Sequence, residues 1–249
     1  MSIGEKFKIA SIAESVGGGT FILVTGATAV LAAFPAAAIQ TWFHPVLIIG
    51  AVVAVAATAT MTIYQTQGNR LLRAAQLSNA LGAAIGESIR SDYYNSGLPP
   101  SFVRLAATTL ENTLFTAAVL SRMLVRERIK IAIYFTLLLL LLTIRRTSSE
   151  WLVLLAQAFF SADLLLAWLR IERFRARTHF VHETLRQFFL QRASIQTPNG
   201  LAIVIAAFTD YECAKDEAAL PLDSKLFDSL NPEISARWET LKKQVGVDG

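Results

Sequence analysis

Between Glu14 and Arg70 the chain passes 55 consecutive positions without Lys, Arg, Asp or Glu, and His44 is the one histidine among them. A helix rises about 1.5 Å per residue, so crossing about 30 Å of hydrocarbon takes roughly 20 apolar residues. The stretch therefore predicts two membrane spans, at 20–39 and 46–64. Residues 40–45 supply the turn, because Pro45 lacks the N–H that continues a helix and Trp42 suits the headgroup layer. A third span, 131–144, has 14 uncharged residues, lengthened by the snorkelling stems of Lys130 and Arg145. A fourth, 151–169, contains one acid, Asp163.

Elsewhere the period is that of amphipathic helices. Apolar or small residues recur at Leu71, Ala75, Leu81, Ile85 and Ile89, then at Val103, Ala107, Leu110, Leu114 and Ala117. Gly97-Leu98-Pro99-Pro100 separates the two, and Ser101 is placed to cap the second, which meets no breaker before Lys130 and so runs into the third span. From 151 to about 192 there is neither Gly nor Pro, which predicts a stalk helix of about 63 Å continuous with the fourth span. On it, Arg170, Arg173 and Arg177 form one basic stripe, and Val181, Leu185 and Phe188 form an apolar seam. After Thr197-Pro198-Asn199-Gly200, nine acids fall in 210–248 and the pattern predicts a small helical tail. Its apolar run 201–208 is too short to span a membrane. Asn231-Pro232-Glu233 predicts a helix start, with Ile234, Trp238 and Leu241 on one face. About 80 residues cannot bury that much apolar surface alone, so the tail is expected to pack on the stalk or a neighbouring subunit.

Composition agrees with this pattern. Of 249 residues 53% are hydrophobic and 17% charged, against about 25% charged in an ordinary soluble domain. That disfavours a soluble enzyme, a disordered chain and, with Cys213 alone, a disulfide scaffold. Segments 1–19, 65–130 and 170–249 hold 2, 8 and 11 basic residues, whereas the turn 40–45 holds none and 145–150 holds Arg145 and Arg146. The positive-inside rule then puts both termini and the helical bulk in the cytoplasm. The net charge of +4 restates this bias and is no nucleic-acid signature. Lys6 and Lys8 before an apolar run ending in Ala36-Ala37-Ala38 imitate a secretory leader, but Glu5, Glu14 and Pro35 argue against one.

Asp163 is the most informative single residue. An ionised acid within a span costs roughly 2.5–3.5 kcal/mol unless it faces protein or water, so it is a pore or gate candidate or else a buried hydrogen-bond partner. Thr25, Ala29, Ala33 and Ala37 share one face, and Gly50, Ala54, Thr58 and Thr62 another. Such small residues serve close helix contact, and the hydroxyls of Thr25, Thr58 and Thr62 also suit a narrow aqueous path. Arg122, Arg126, Arg128, Arg170, Arg173, Arg175 and Arg177 lie near the inner boundary. Forked guanidinium groups suit phosphates, although topology and anionic headgroups also account for arginines there. His179, His182 and Glu183 lack a third metal ligand at a useful spacing, Gly17-Gly18-Gly19 precedes an apolar helix and reads as a hinge, and no catalytic set assembles. No cofactor or metal is implied.

The cytoplasmic segment Arg90-Ser-Asp-Tyr-Tyr-Asn95, the prolines after it, Thr109-Leu-Glu-Asn-Thr-Leu-Phe-Thr116 and Ser121-Arg-Met123 carry a family likeness. So do Asp210-Tyr-Glu212 and Leu226-Phe-Asp-Ser-Leu-Asn-Pro232 ahead of Trp238. Across most of 65–245 the chain resembles the four-transmembrane, SMODS-associated effectors of bacterial antiphage defence, a group related to the SLATT effectors and including Hailong-type membrane effectors. The resemblance implies an oligomer controlled by a nucleotide or oligonucleotide signal from a partner nucleotidyltransferase, with membrane permeabilisation as output. Some relatives are opened by their signal and Hailong-type effectors are held shut by a short DNA oligomer, so the direction of gating is left open. The resemblance assigns no ligand contact.

The expected architecture is an all-α integral membrane protein with four transmembrane helices, cytoplasmic helical extensions and a small α-helical C-terminal domain. Its segments are 1–64, with the first hairpin; 65–130, the cytoplasmic pair; 131–170, the second hairpin; and 171–249, the stalk and tail. The expected function is a homo-oligomeric, tetrameric ligand-gated pore in the bacterial inner membrane. The alternative is a non-conducting membrane scaffold or sensor that recruits a cytoplasmic partner; a lipid-modifying enzyme lacks a catalytic cluster.

Overall fold

The computed structural model describes residues 2–33, 37–85, 97–143 and 162–247. These residues form six helices and no strand: α1 (Ile3–Ala33), α2 (Ala37–Leu81), α3 (Phe102–Thr143), α4 (Ala162–Leu190), α5 (Pro198–Ala218) and α6 (Ser224–Val245). They belong to two compact units, Met1–Gln65 with Val125–Leu169 and Thr66–Leu124 with Arg170–Gly249.

In the first unit α1 and α2 are antiparallel and held close by small residues. A Cβ on Gly17 would sit 3.7 Å from the Cβ of Ala57, and one on Gly50 would come within 2.5 Å of the Val24 side chain. Farther along, Ala10, Ala13 and Met61 make a small core covered by Tyr64, whose ring lies 6.0 Å from the Lys6 ammonium. Among the described residues the opposite face of α2 has no such cover. Val46, Ile48, Ile49, Val52 and Val55 are between 49% and 70% exposed. Water penalises such surface at about 25 cal/mol per Å², whereas lipid does not. Among the described residues one helical stretch, His44–Leu81, is long and apolar enough to cross a membrane, with 11% of its apolar window buried. That fits membrane association.

Two expectations for this unit are corrected. The turn predicted at 40–45 is helical and Pro45 stands inside α2, while α1 ends at Ala33 and α2 begins at Ala37. A proline removes one hydrogen bond, a cost of about 3 kcal/mol that a long packed helix can absorb. Gly17-Gly18-Gly19 is no hinge but lies within α1, where Gly17 serves helix contact. Pro35, residues 151–161 of the fourth expected span and the end of the third at Ile144 lie outside the described residues.

In the second unit α3 is central because three of its buried threonines each bond a different neighbour. Gln76 of α2 donates to Thr109 Oγ1 at 3.2 Å, Thr113 Oγ1 lies 3.2 Å from Nδ1 of His182 on α4, and Thr116 Oγ1 lies 2.7 Å from the Tyr211 hydroxyl on α5. Spacings of four and three residues point these hydroxyls inward along one side of the helix. Around them Leu105, Leu110, Leu120, Leu124, Val181 and Leu185 are at most 2% exposed, and each such side chain contributes about 1.5–3 kcal/mol by burial. The seam Val181, Leu185 and Phe188 is buried, as the periodicity predicts. The tail packs on the same core: Phe227 meets Phe115 at 5.7 Å between ring centroids, and Ile234, Trp238, Leu241 and Val245 bury one face of α6.

Local chemistry sets the ends of these helices. Ser101 caps α3 by accepting the Arg104 N–H at 3.2 Å, and its own N–H donates to the Ala80 carbonyl at 2.8 Å, joining the start of α3 to the end of α2. The helix expected to reach Ile89 stops at Leu81, because Gly82 adopts the left-handed conformation at φ +67° and the Ser78 hydroxyl accepts the Ile85 N–H. Ile89 and the segment Arg90–Asn95 lie outside the described residues. Thr197 caps α5 ahead of Pro198. Asn231-Pro232 does not start a helix: α6 begins at Ser224, capped by Asp223, and Pro232 lies inside it. The earlier start adds the turn that brings Phe227 onto Phe115.

Candidate functional site

Helix α5 carries four carboxylates on two edges, and each edge holds an arginine from another helix. On one edge, Glu212 and Asp216 grip Arg73 of α2: Nε donates to Glu212 Oε2 at 3.1 Å and Nη2 to Asp216. Asn69 donates to Asp216 Oδ1 at 3.1 Å, and Lys215 Nζ lies 2.5 Å from the other Glu212 oxygen. Glu212 is 2% exposed, and its two carboxylate oxygens face Arg73 and Lys215.

On the other edge, Asp210 and Glu217 face Arg177 of α4. Arg177 donates from Nε to Asp210 Oδ1 at 3.0 Å and also from Nη2, while Nη1 donates to Glu217 Oε2 at 2.6 Å. Arg173 approaches the same Glu217 oxygen at 3.9 Å. The hydrogen bond and charge of Arg177 hold the Glu217 carboxyl below its ordinary range. Arg170, Arg173, Arg177 and Glu217 rim a small pocket of about 50 Å³, floored by Phe174, Ala214 and Ala218. Phe174 is buried and stacks on Tyr211 at 6.5 Å, so the floor is held by the threonine-bonded core. Three guanidinium groups against the carboxylates of Asp210 and Glu217 leave an excess positive charge.

The structure thus gathers Arg170, Arg173 and Arg177 and leaves the other arginines apart. Arg175 donates to Ser121 Oγ at 3.1 Å, Arg122 is exposed on α3, and Arg126 and Arg128 belong to the other unit. Thr58 and Thr62 are exposed on α2, with their hydroxyls donating back to the carbonyls of Ala54 and Thr58 at 2.9 Å. Asp163 and Thr25 are helical, and their side chains lie outside what the structure describes. His182 is engaged by Thr113 and driven below its ordinary pKa by burial, while His179 is exposed. Among the described residues no group of three His, Cys, Asp or Glu side chains could hold a metal ion.

Sequence reasoning missed Arg73, Asp216 and Glu217. Acids at 212 and 216 and at 210 and 217 do share helix edges, but nothing in the spacing names their distant partners. Compared with known proteins, the chain matches no family model, no curated protein and no solved structure.

Proposed function

We propose that the chain is an oligomeric membrane effector of a bacterial antiphage defence system. It acts as a tetrameric ion channel or pore, gated by a nucleotide or short oligonucleotide signal bound on the cytoplasmic side. In this reading it crosses the inner membrane four times with both termini in the cytoplasm, and a partner nucleotidyltransferase makes the signal. The observation that carries the reading is helical continuity: 126–131 lie within α3 and 169–174 within α4. A loop at either place would absorb a displacement that a helix transmits. An anion that binds one state of the arginine layer more tightly shifts the population of the gate, and a preference of about a hundredfold is about 2.7 kcal/mol of coupling per site.

The pocket rimmed by Arg170, Arg173 and Arg177 and the outward apolar face of α2 also support this reading. Ion flux from liposomes, with Asp163→Asn and separately with paired Arg173→Gln and Arg177→Gln, tests it. Flux and ion preference change in the first variant, and signal affinity falls in the second. If both variants match the parent chain, the pore and phosphate roles are lost together.

One observation favours a non-conducting scaffold that recruits a cytoplasmic partner. A groove of about 380 Å³ on α4 and the start of α5 is lined by Phe180, Thr184, Gln187, Phe188 and Ile203, and Phe180 is 67% exposed. Liposomes that carry no current at any signal concentration decide for it.

A further inference from the structure

The arginine pocket already holds an anion, and that anion is the protein's own. Glu217 lies in the last turn of α5, about two turns beyond Asp210, and places one carboxylate oxygen 2.6 Å from Arg177 Nη1 and 3.9 Å from Arg173 Nη2. A phosphate oxygen on these arginines would take the same position. We infer that Glu217 is a built-in competitor: its carboxylate stands in for a ligand phosphate, and an incoming phosphate group displaces it.

The two carboxylates on Arg177 are not equivalent. Asp210 takes Nε and Nη2 and is about as covered as Arg177, at 32% and 29% side-chain exposure. Glu217 takes only Nη1 and is 55% exposed, and Arg173 is 77% exposed. An exposed single-point pair contributes little and is readily exchanged, whereas a two-point contact holds. Asp210 therefore keeps Arg177 in place while Glu217 leaves, and the vacated rim presents Arg177 Nη1 with the side chains of Arg173 and Arg170. The pocket's floor of Phe174, Ala214 and Ala218 has no acceptor side chain to compete. The ligand chemistry is a phosphate group, carried by a free nucleotide or by a lipid headgroup. This inference rests on the reading of the pocket as the signal site.

The test uses the full chain in phosphatidylcholine nanodiscs and a fluorescein-labelled, 5′-phosphorylated DNA tetramer, read by fluorescence polarisation. Glu217→Gln keeps shape and removes charge, and binds the probe about fivefold tighter than the parent chain. Arg173→Gln with Arg177→Gln loses at least about tenfold. Adding Glu217→Gln to that pair restores nothing, and inorganic phosphate competes with the probe in the single variant. Melting curves confirm that each variant is folded, with Glu217→Ala as the second release variant. Unchanged affinity in both Glu217 variants, alongside loss in the arginine pair, overturns the competitor and leaves the signal site standing. Unchanged affinity in every variant overturns both. Repeating the titration in phosphatidylglycerol nanodiscs separates the sources: tight binding of Glu217→Gln in phosphatidylcholine that vanishes in phosphatidylglycerol assigns the pocket to a lipid headgroup, and binding in both assigns it to the free phosphate.

Discussion

Arg73 and Glu212 lie 139 residues apart in sequence and meet at 3.1 Å, the arginine one-third exposed and the glutamate 2% exposed. The pair ties α2 to α5, and Asp216 completes a fork around the guanidinium. Arg73→Ala leaves Glu212 buried with Lys215 as its remaining cation, so the loss is smaller than for a fully orphaned charge, about 2–3 kcal/mol. Adding Glu212→Gln recovers part of it. Thermal unfolding of the two single variants and the double variant in detergent reads these effects, and strict additivity would show that the pair is not coupled.

The Thr116 hydroxyl and the Tyr211 phenol share a buried hydrogen bond at 2.7 Å. Thr116→Val strips Tyr211 of this partner and costs about 1–2 kcal/mol. Thr116→Val with Tyr211→Phe costs less than the sum of the two single changes, because no buried polar group is stranded. Denaturant midpoints at constant slope provide the comparison.

Acid weakens the second unit through His182. Burial drives its pKa below the ordinary 6.5, although the Leu110 carbonyl and Glu183 pull the other way and His179 and Arg186 add to the lowering. The unfolded chain therefore takes up a proton at higher pH than the folded one, and the contribution is fully present above about 6.5 and lost as pH falls through the folded value. His182→Gln flattens the fall in melting temperature between about pH 7 and pH 5. A variant with the parent's slope would remove His182 from the account.

Glu111 acts with the opposite sign. Burial raises its pKa, partly offset by Lys242 and reinforced by Glu239. The folded chain binds this proton more readily, so the ionised form weakens the fold above the folded pKa and the penalty fades as pH falls towards the unfolded 4.5. Glu111→Gln raises the melting temperature at neutral pH and leaves it unchanged near pH 4, in a titration run beside the parent chain.

Gly50 admits the Val24 side chain at a distance no Cβ would tolerate. Gly50→Ala separates α1 from α2 and costs about 1–3 kcal/mol, and Val24→Ala in the same chain restores the contact. Disulfide trapping between cysteines at 17 and 57 reports the helix separation directly: its yield falls in the first variant and returns in the second.

Much of the helical plan was legible in the chain because its causes are local. The absence of a breaker after Ser101 predicts α3 through Lys130, and the Ser101 cap is observed. The spacing of Ile234, Trp238 and Leu241 predicts the buried face of α6. Two of the misplaced boundaries turn on proline. Pro45 and Pro232 each carry a local cost that neighbouring turns outweigh by extending a packed helix, and no single-residue rule contains that balance.

The arginine stripe was legible as a stripe, since Arg170, Arg173 and Arg177 follow the helical repeat. That Glu217 sits among them was not, because it arrives on a different helix, 40 residues beyond Arg177.

By itself the sequence determined most of the helical segments, several of their buried faces and the apolar stretch after His44 that suits lipid, because propensity, periodicity and hydration act over a turn or two. Tertiary structure alone decided which charges meet. Arg73 with Glu212, and Arg177 with Asp210 and Glu217, depend on how α2, α4 and α5 settle around the threonines of α3. Partner choice between distant side chains follows from packing geometry and desolvation, neither of which any short stretch of chain encodes.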